Sequence, residues 1–278
     1  MDKKFTHLII QKPAPFVANV QLNRPDQRNA LNYTLWHEIG EAFNLLSTDP
    51  DIRVIILTGN GKSFCAGLDL KESQDLLSIA SNDTEDAARR GRKLLEKIKT
   101  MQKAFTLIEE CPKPVIAAVH GHCVGGGIDV ITACDIRYAS TDAVFSVKEV
   151  DIGLAADTGT LNRLPKIGLS DSWVRELSYT GRLFGAKEAL EHGLVSKVFD
   201  NQEVLLKSSL ELASIMAQKS PVALQGTKVL LNYSRDHSID ESLKFTAAWN
   251  MSQLLTDDIG KAAMATISKQ GPPKFSKL

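Results

Sequence analysis

Three carboxylates lie where apolar or small residues would be ordinary. Asp129 ends the run Gly125-Gly126-Gly127-Ile128-Asp129, and Glu149 follows 20 positions later in Val147-Lys148-Glu149-Val150-Asp151. Asp157 comes 8 further on, after Gly153-Leu154-Ala155-Ala156. A carboxylate in such surroundings is costly unless it is paired or exchanges protons, so the three read as acid–base groups. Two small-residue turns accompany them. One is Gly125–Gly127; the other is Phe64-Cys65-Ala66-Gly67-Leu68-Asp69, and each comes after a short apolar run. Backbone N–H groups in such turns approach a ligand unshielded, and a helix starting there adds its positive end. Two such N–H groups aimed at one carbonyl oxygen form an oxyanion hole, each donor worth roughly 3–4 kcal/mol at a transition state.

Singly, each feature has a plainer reading. The turns suit tight packing, Glu149 in a charged stretch suits a solvated surface, and Asp157 before Thr158-Gly159-Thr160 suits a helix N-cap. It is the assembly of acids beside two turns that favours chemistry. Asp135 and Asp151 read as structural, at a strand end and in a turn.

Other motifs fail on spacing. Gly61-Lys62-Ser63 has Ile56 where a phosphate loop needs its first glycine, and the glycines at 121 and 125–127 do not fit a dinucleotide fingerprint. His120 and His122, two apart on a strand, share a face, but no further ligands cluster with them to hold a metal. No G-x-S-x-G elbow occurs, and Cys65 carries no nucleophile signature.

Positioning these groups requires alternating strands, turns and helices. Leu8–Ile10 and Phe16–Leu22 read as strands, the second with Phe16, Ala18, Val20 and Leu22 on one face. Arg24–Asn29 is a polar turn. Trp36, Ile39, Phe43 and Leu46 make the apolar stripe of a helix. Val54–Leu57 and Val115–Val119 are short continuous apolar runs, as in strands buried on both faces. Residues 70–110 read as helical, with a basic face from Arg89 to Lys103 that suits solvent and could also meet the phosphates of a ligand, as could Arg28. Strands follow at Ile136–Tyr138 and Val144–Val147. Beyond about 180 the pattern is helical, at 186–192, 203–218, 221–232 and from Ser238, where Glu241 completes a capping box. The stripe Ile239, Leu243, Ala247, Met251 and Leu254 suits a core or a subunit interface.

With 278 residues the chain can bury a large core, and 33 basic residues balance 33 acidic ones. No global field therefore draws it to nucleic acid or membrane. No apolar run is long enough to span a bilayer, and Met1–Phe5 begins neither a signal nor a transit peptide. Cys65, Cys111, Cys123 and Cys134 form no disulfide framework, which fits a reducing compartment. The terminal Ser276-Lys277-Leu278 reads as a peroxisomal address, carried on an accessible tail after Gly271-Pro272-Pro273.

Cys65-Ala66-Gly67-Leu68-Asp69, Lys113-Pro114-Val115-Ile116-Ala117-Ala118-Val119-His120-Gly121 and the triple-glycine turn together resemble the enoyl-CoA hydratase/isomerase (crotonase) superfamily, across essentially the whole chain. The resemblance implies an α/β spiral of ββα repeats over residues 1–200, with the active site. It implies a C-terminal helical region over 201–278 that forms homotrimers or a dimer of trimers. It implies acyl-CoA thioester substrates, with no metal and no cofactor beyond the CoA of the substrate. Cys65, Ala66, Gly67, Leu68, Asp69 and Gly126 would meet that substrate, its thioester oxygen held by the amides of Leu68 and Gly126.

Hydratases of the superfamily carry glutamate at the positions of Asp129 and Glu149, and usually glycine at that of Asp157. Lys148–Asp157 and Ala133-Cys134-Asp135-Ile136-Arg137-Tyr138 are instead similar to the delta-3,5-delta-2,4-dienoyl-CoA isomerases of fatty acid β-oxidation. That implies Glu149 as base at C2, a protonated and poorly solvated Asp157 as acid at C6, and Asp129 in support. The alternatives are a 2-enoyl-CoA hydratase and, more remotely, an RNA-binding homologue using the basic helix.

Overall fold

Strands apolar at every position need cover on both faces, and this fold supplies it. The computed structural model describes residues 3–71, 79, 84–269 and 271–278. An antiparallel hairpin, β1 (Leu8–Ala14) and β2 (Val17–Leu22), leads through α1 (Tyr33–Thr48) to β3 (Val54–Gly59). Next come α2 (Ala87–Glu110), β4 (Val115–Val119), β5 (His122–Val124), α3 (Gly126–Thr132), β6 (Ile136–Ser140) and β7 (Val144–Ser146). The chain continues through α4 (Thr160–Arg163), α5 (Asp171–Thr180), β8 (Phe184–Gly185), α6 (Ala186–Glu191) and β9 (Lys197–Phe199). It ends in α7 (Gln202–Ala217), α8 (Pro221–Asp236), α9 (Ile239–Gln253) and α10 (Asp258–Ile267).

The larger sheet runs β1-β2-β3-β4-β6-β9 and is parallel from β2 onward. Alternate residues of β3 and β4 face opposite layers. Ile55, Leu57, Val115, Ala117 and Val119 join the cluster under α1, α2 and α3. Val54, Ile56, Ile116 and Ala118 pack on Leu205, Ala213 and Ala217 of α7. Both apolar runs are therefore strands covered on both faces. The α1 stripe is buried as expected: Asn32 caps the helix by accepting from Leu35 N–H at 2.9 Å, and Trp36 stacks on Phe105 of α2 at 4.5 Å.

A second sheet, β5-β7-β8, positions the site. The chain turns at Gly121 between β4 and β5, so His120 lies just past the end of β4 and His122 opens β5 in the other sheet, and the two share no strand face. His120 Nε2 lies 3.0 Å from Gly61 O, and His122 Nδ1 lies 3.3 Å from Ser63 Oγ. The loop after β3 then crosses to β5 through a bridge between Cys65 and Cys123, bringing the two small-residue turns side by side.

Several elements differ from their sequence reading. Phe16 leaves the Ala18–Val20–Leu22 face, because it occupies the hairpin turn with φ 62° and packs on the opposite side beneath the Arg53 guanidinium. In the 70–110 stretch α2 occupies 87–110, and 72–78 and 80–83 lie outside the described residues. The helices α5 and α10 had no clear sequence signal. The segment 201–278 is not uniform: α7 belongs to the sheet core, and Lys228 of α8 is fastened to Asp135 at 2.8 Å. The capping box of α9 forms, with Ser238 N–H donating to Glu241 at 3.0 Å. Its apolar stripe is not core, since Ile239, Leu243 and Met251 are 80%, 65% and 76% exposed on the single chain.

Candidate active site

The loop after β3 is pinned from both sides. Cys65 N–H donates to His122 O at 2.8 Å and Ala66 N–H to Arg28 O at 3.0 Å. Leu31 N–H donates to Gly67 O at 2.7 Å, and Asp69 N–H to Leu31 O at 3.1 Å. This pattern leaves Leu68 N–H without a backbone acceptor among the described residues. Gly67 has φ 88°, and a Cβ there would stand 2.9 Å from Val124 O, so only glycine suits this crossing. On the facing turn, Gly125 N–H donates to Ser146 O at 2.9 Å, and Gly126 opens α3. The first N–H groups of a helix have no intrahelical acceptor, and Gly126 N–H finds no backbone partner among the described residues.

Both free N–H groups border a pocket of about 160 Å³ lined by Ala66, Gly67, Leu68 and Gly125–Gly126 on one side. Trp36, Leu70, Met101, Ile152 and Leu154 supply its apolar wall. Asp129, Glu149 and Asp157 all border it. Cys65 and Asp69 do not. Cys65 is fully buried behind the loop, and burial pushes its thiol up to about 12. Asp69 pairs with buried Arg24 at 2.9 Å and accepts from Lys71 N–H at 3.1 Å, holding the loop's shape.

The acids differ in setting. Asp129, on α3, is buried, which raises its proton affinity; Thr160 N–H donates to it at 2.6 Å, and the Thr158 side chain and the Arg163 charge oppose the rise. Glu149 begins a 3-10 turn after β7, its Oε1 so close to Gly125 that a Cβ there would meet it at 3.2 Å. The φ of 51° at Gly125 likewise disfavours a side chain. Glu149 Oε2 is buried with no hydrogen-bond partner among the described residues. Its pKa is pushed up to about 7, by burial first and then by the charges of Asp129 and Asp157. A carboxyl poised there can take and give protons near neutrality.

Asp157 lies in the loop before α4, whose N-cap position belongs to Gly159, so the N-cap reading does not hold. Gln102 of α2 donates to its backbone carbonyl at 2.7 Å. Surrounding protein raises its carboxyl, yet the residue is exposed on the single chain, more open than the sequence suggested. Asp135 and Asp151 are structural: Asp135 accepts from Val115 N–H at 2.7 Å, and Asp151 pairs with Lys148 at 2.5 Å.

Sequence reasoning did not single out Gln102, Thr158, Thr160 or Arg163 as part of this site. Thr158 and Thr160 flank a glycine three positions or fewer from Asp157, a proximity that could have flagged them; Gln102 and Arg163 arrive by tertiary contact and carry no local signal. The basic face of α2 is partly paired within the chain, Arg89 with Asp86, Lys93 with Glu85 and Lys103 with Glu110, while Lys97 lies over Tyr33 at 4.1 Å. No group of His, Cys, Asp and Glu among the described residues could hold a metal ion, and none of their helices is long and apolar enough to cross a membrane.

Residues 14–276 match the family model described as enoyl-CoA hydratase/isomerase. The chain is 51% identical over its whole length to a Homo sapiens protein named "Delta(3,5)-Delta(2,4)-dienoyl-CoA isomerase, mitochondrial", of which it covers 84%. It is 46% identical, over 94% of its length and 93% of the relative, to the Arabidopsis thaliana "Delta(3,5)-Delta(2,4)-dienoyl-CoA isomerase, peroxisomal". Among solved structures, an enoyl-CoA hydratase from Bacillus anthracis superimposes with a TM-score of 0.86 at 28% identity, over 98% of this chain and 99% of that one. With an α/β core, a helical C-terminal region and a match over nearly its full length, the chain belongs to the enoyl-CoA hydratase/isomerase (crotonase) family.

Proposed function

We propose that this chain isomerises 3,5-dienoyl-CoA thioesters to 2,4-dienoyl-CoA thioesters, a step in the β-oxidation of unsaturated fatty acids. The observation that carries the reading is a third acid, Asp157, bordering the same pocket as Glu149 and the two free N–H groups. Water addition to a 2-enoyl thioester would leave that acid idle. The identities near 50% to relatives named dienoyl-CoA isomerase support the same choice.

The thioester oxygen accepts from Leu68 N–H and Gly126 N–H. Glu149 removes a proton from C2, and the charge spreads from the oxygen to C6 as a dienolate, stabilised where it develops. Asp157 donates a proton to C6, and the double bonds move into conjugation with the carbonyl. Glu149 then holds the proton that Asp157 has lost, and exchange between them resets the site. Two acids are required because C2 and C6 are too far apart for one carboxyl to serve both. Asp129 keeps a negative charge beside Glu149 and so supports its basicity. No metal or cofactor takes part beyond the CoA of the substrate.

The test is spectroscopic. Wild type given a 3,5-dienoyl-CoA should develop the ultraviolet absorbance of the 2,4-dienoyl product, and Asp157→Asn should lose most of that rate. A wild type that forms no such product yet hydrates a 2-enoyl-CoA would assign Asp157 to structure and the chain to the hydratases.

We propose further that the exposed stripe of α9 closes a homotrimer or a dimer of trimers. Light scattering should give about three or six times the chain mass of 30.4 kDa, and Leu243→Glu should dissociate the assembly. The tripeptide Ser276-Lys277-Leu278 is exposed and suits recognition by a peroxisomal import receptor. A fluorescent fusion that keeps this terminus should concentrate in peroxisomes, and removing the tripeptide should disperse it. Accumulation in mitochondria instead would align the chain with its animal relatives.

A further inference from the structure

Arg163 ends α4 and is buried, with its guanidinium spread over the backbone of Gly159. Gly159 has φ 136°, and a Cβ there would collide with Arg163 Nη1. The guanidinium is itself fixed from behind: Nε and Nη2 both donate to Glu109 Oε2 of α2, at 3.1 and 3.0 Å. The other oxygen of Glu109 pairs with Arg235 of α8. Arg163 N–H donates back to Gly159 O at 2.9 Å. One residue beyond Gly159, Thr160 N–H gives Asp129 its 2.6 Å hydrogen bond. The cation, the turn and the cap on Asp129 therefore form one continuous unit.

We propose that Arg163 is a positioning residue for the acid–base pair: it locks the Gly159–Thr160 turn onto Asp129 and sets a positive charge beside that acid, favouring its ionised form next to Glu149. The inference rests on the reading of Glu149 as the base. Glu149 and Arg163 act on Asp129 through their charges, Asp157 borders the same pocket, Glu109 stands behind Arg163, and the buried thiols of Cys65 and Cys123 lie near Asp129. Lys148 also borders the pocket, its ammonium paired with Asp151. Arg163 is thus the cation that acts on Asp129, and its charge opposes the rise that burial gives that acid. Burial works against the Glu109 anion too, but Arg163 and Arg235 outweigh it and hold that carboxyl below its ordinary value.

A cation beside two coupled carboxylates favours the state in which both are ionised, and an anion opposes it. Arg163→Gln and Glu109→Gln must therefore move the titration of the pair in opposite directions. A loss of packing alone would not.

The experiment is the pH dependence of kcat/KM for 3,5-dienoyl-CoA isomerisation in wild type, Arg163→Gln, Arg163→Lys and Glu109→Gln. Because Arg163 reaches Glu149 only through the coupled Asp129, the inflection near pH 7 should rise by about half a pH unit in Arg163→Gln, roughly a threefold change in the ionised fraction at fixed pH below it. It should fall by a smaller amount in Glu109→Gln and hold its position in Arg163→Lys, with KM changing less than kcat. Activity lowered equally at every pH, with an unmoved inflection, would overturn the proposal and make Arg163 structural. If Arg163→Gln does not fold, the sign in Glu109→Gln decides alone: a downward shift supports the proposal, and none or an upward one overturns it. A wild type without isomerase activity would instead remove the functional reading itself, a separately visible result.

Discussion

Glu149 and Asp157 border one pocket but sit in opposite kinds of surroundings. Glu149 has a buried oxygen with no partner and two neighbouring acids whose charges add to its burial. Asp157 is exposed at the rim, and burial alone raises it, opposed by its own backbone N–H. In the free protein the resting proton therefore belongs more to Glu149 than to Asp157. The proposed reaction needs the reverse: a free carboxylate at C2 and a proton at C6. The difference teaches that the substrate completes the site. An acyl chain laid over the rim excludes water from Asp157 and raises its proton affinity, so the proton moves outward as Glu149 is freed. Between the two proton affinities the pair holds one proton to distribute. As pH rises through about 7 that proton is lost, so kcat/KM should decline above this value.

The largest expected effects come from removing either acid. Glu149→Gln and Asp157→Asn should each cost about 10²–10⁴-fold in isomerisation, the usual range for a positioned proton-transfer group. The two should separate in heavy water. Asp157→Asn still allows Glu149 to exchange the C2 proton for deuterium, whereas Glu149→Gln does not. Mass spectrometry of recovered substrate reads this directly, and equal loss of exchange in both variants would break the division of labour.

Stability should divide the two acids as well. The folded pKa of Glu149 is about 7 against an ordinary 4.5, so the folded state binds the extra proton between those values. Stability then falls as pH rises through that window, and the full penalty, about 3 kcal/mol, is present above it. Glu149→Gln removes a group that is ionised and poorly solvated at pH 8, so its melting temperature should exceed that of wild type there. The two should converge near pH 4.5. Asp157→Asn, at an open position, should change the melting temperature much less at either pH. A larger gain from Asp157→Asn would invert the comparison.

A third variant leaves both protonation states alone. Gly67→Ala forces a side chain into φ 88° and against Val124 O, which displaces the turn carrying Leu68 N–H. Loss of that donor should lower kcat by about 10²-fold without moving the pH profile. A shifted profile would mean that the turn tunes the acids and does more than hold the thioester oxygen.

The same inner and outer contrast decides how much the sequence could reveal. Continuous apolar runs such as Val54–Leu57 and Val115–Val119 announce strands covered on both faces, because burial leaves no position for a polar residue. Trp36, Ile39, Phe43 and Leu46 announce α1 for the same reason. The triple glycine and the three acids were legible because chemistry imposes residue types that packing alone would not choose. What stayed hidden arises from contacts between distant segments. Arg163 meets Glu109 across 54 positions, and the exposure of Asp157 depends on how its loop lies over α2. The stripe of α9 has helical spacing whether it faces a core or another subunit, so periodicity could not tell the two apart. Phe16 fits the alternation of β2 yet falls in the hairpin turn, where chain reversal overrides the period.

The smallest expected change isolates the inner acids from the outer one. Asp129 contributes the larger of the two neighbouring charges that hold the Glu149 proton, so Asp129→Asn should lower the Glu149 midpoint from about 7. A like charge removed from a buried neighbour is worth about one pH unit, so the decline in kcat/KM should begin that much sooner. Asp157 should barely respond, because its carboxyl is raised by burial and opposed by its own backbone N–H. The proton affinities of the two catalytic acids would then lie closer together, and a larger share of singly protonated enzyme would already carry its proton on Asp157. Asp129→Asn should therefore keep most of its activity at pH 5 and lose most of it by pH 7, where wild type is only at its midpoint. A uniform loss at both values would mean instead that Asp129 serves to hold Thr160 and the loop behind it, with no influence on where the proton rests.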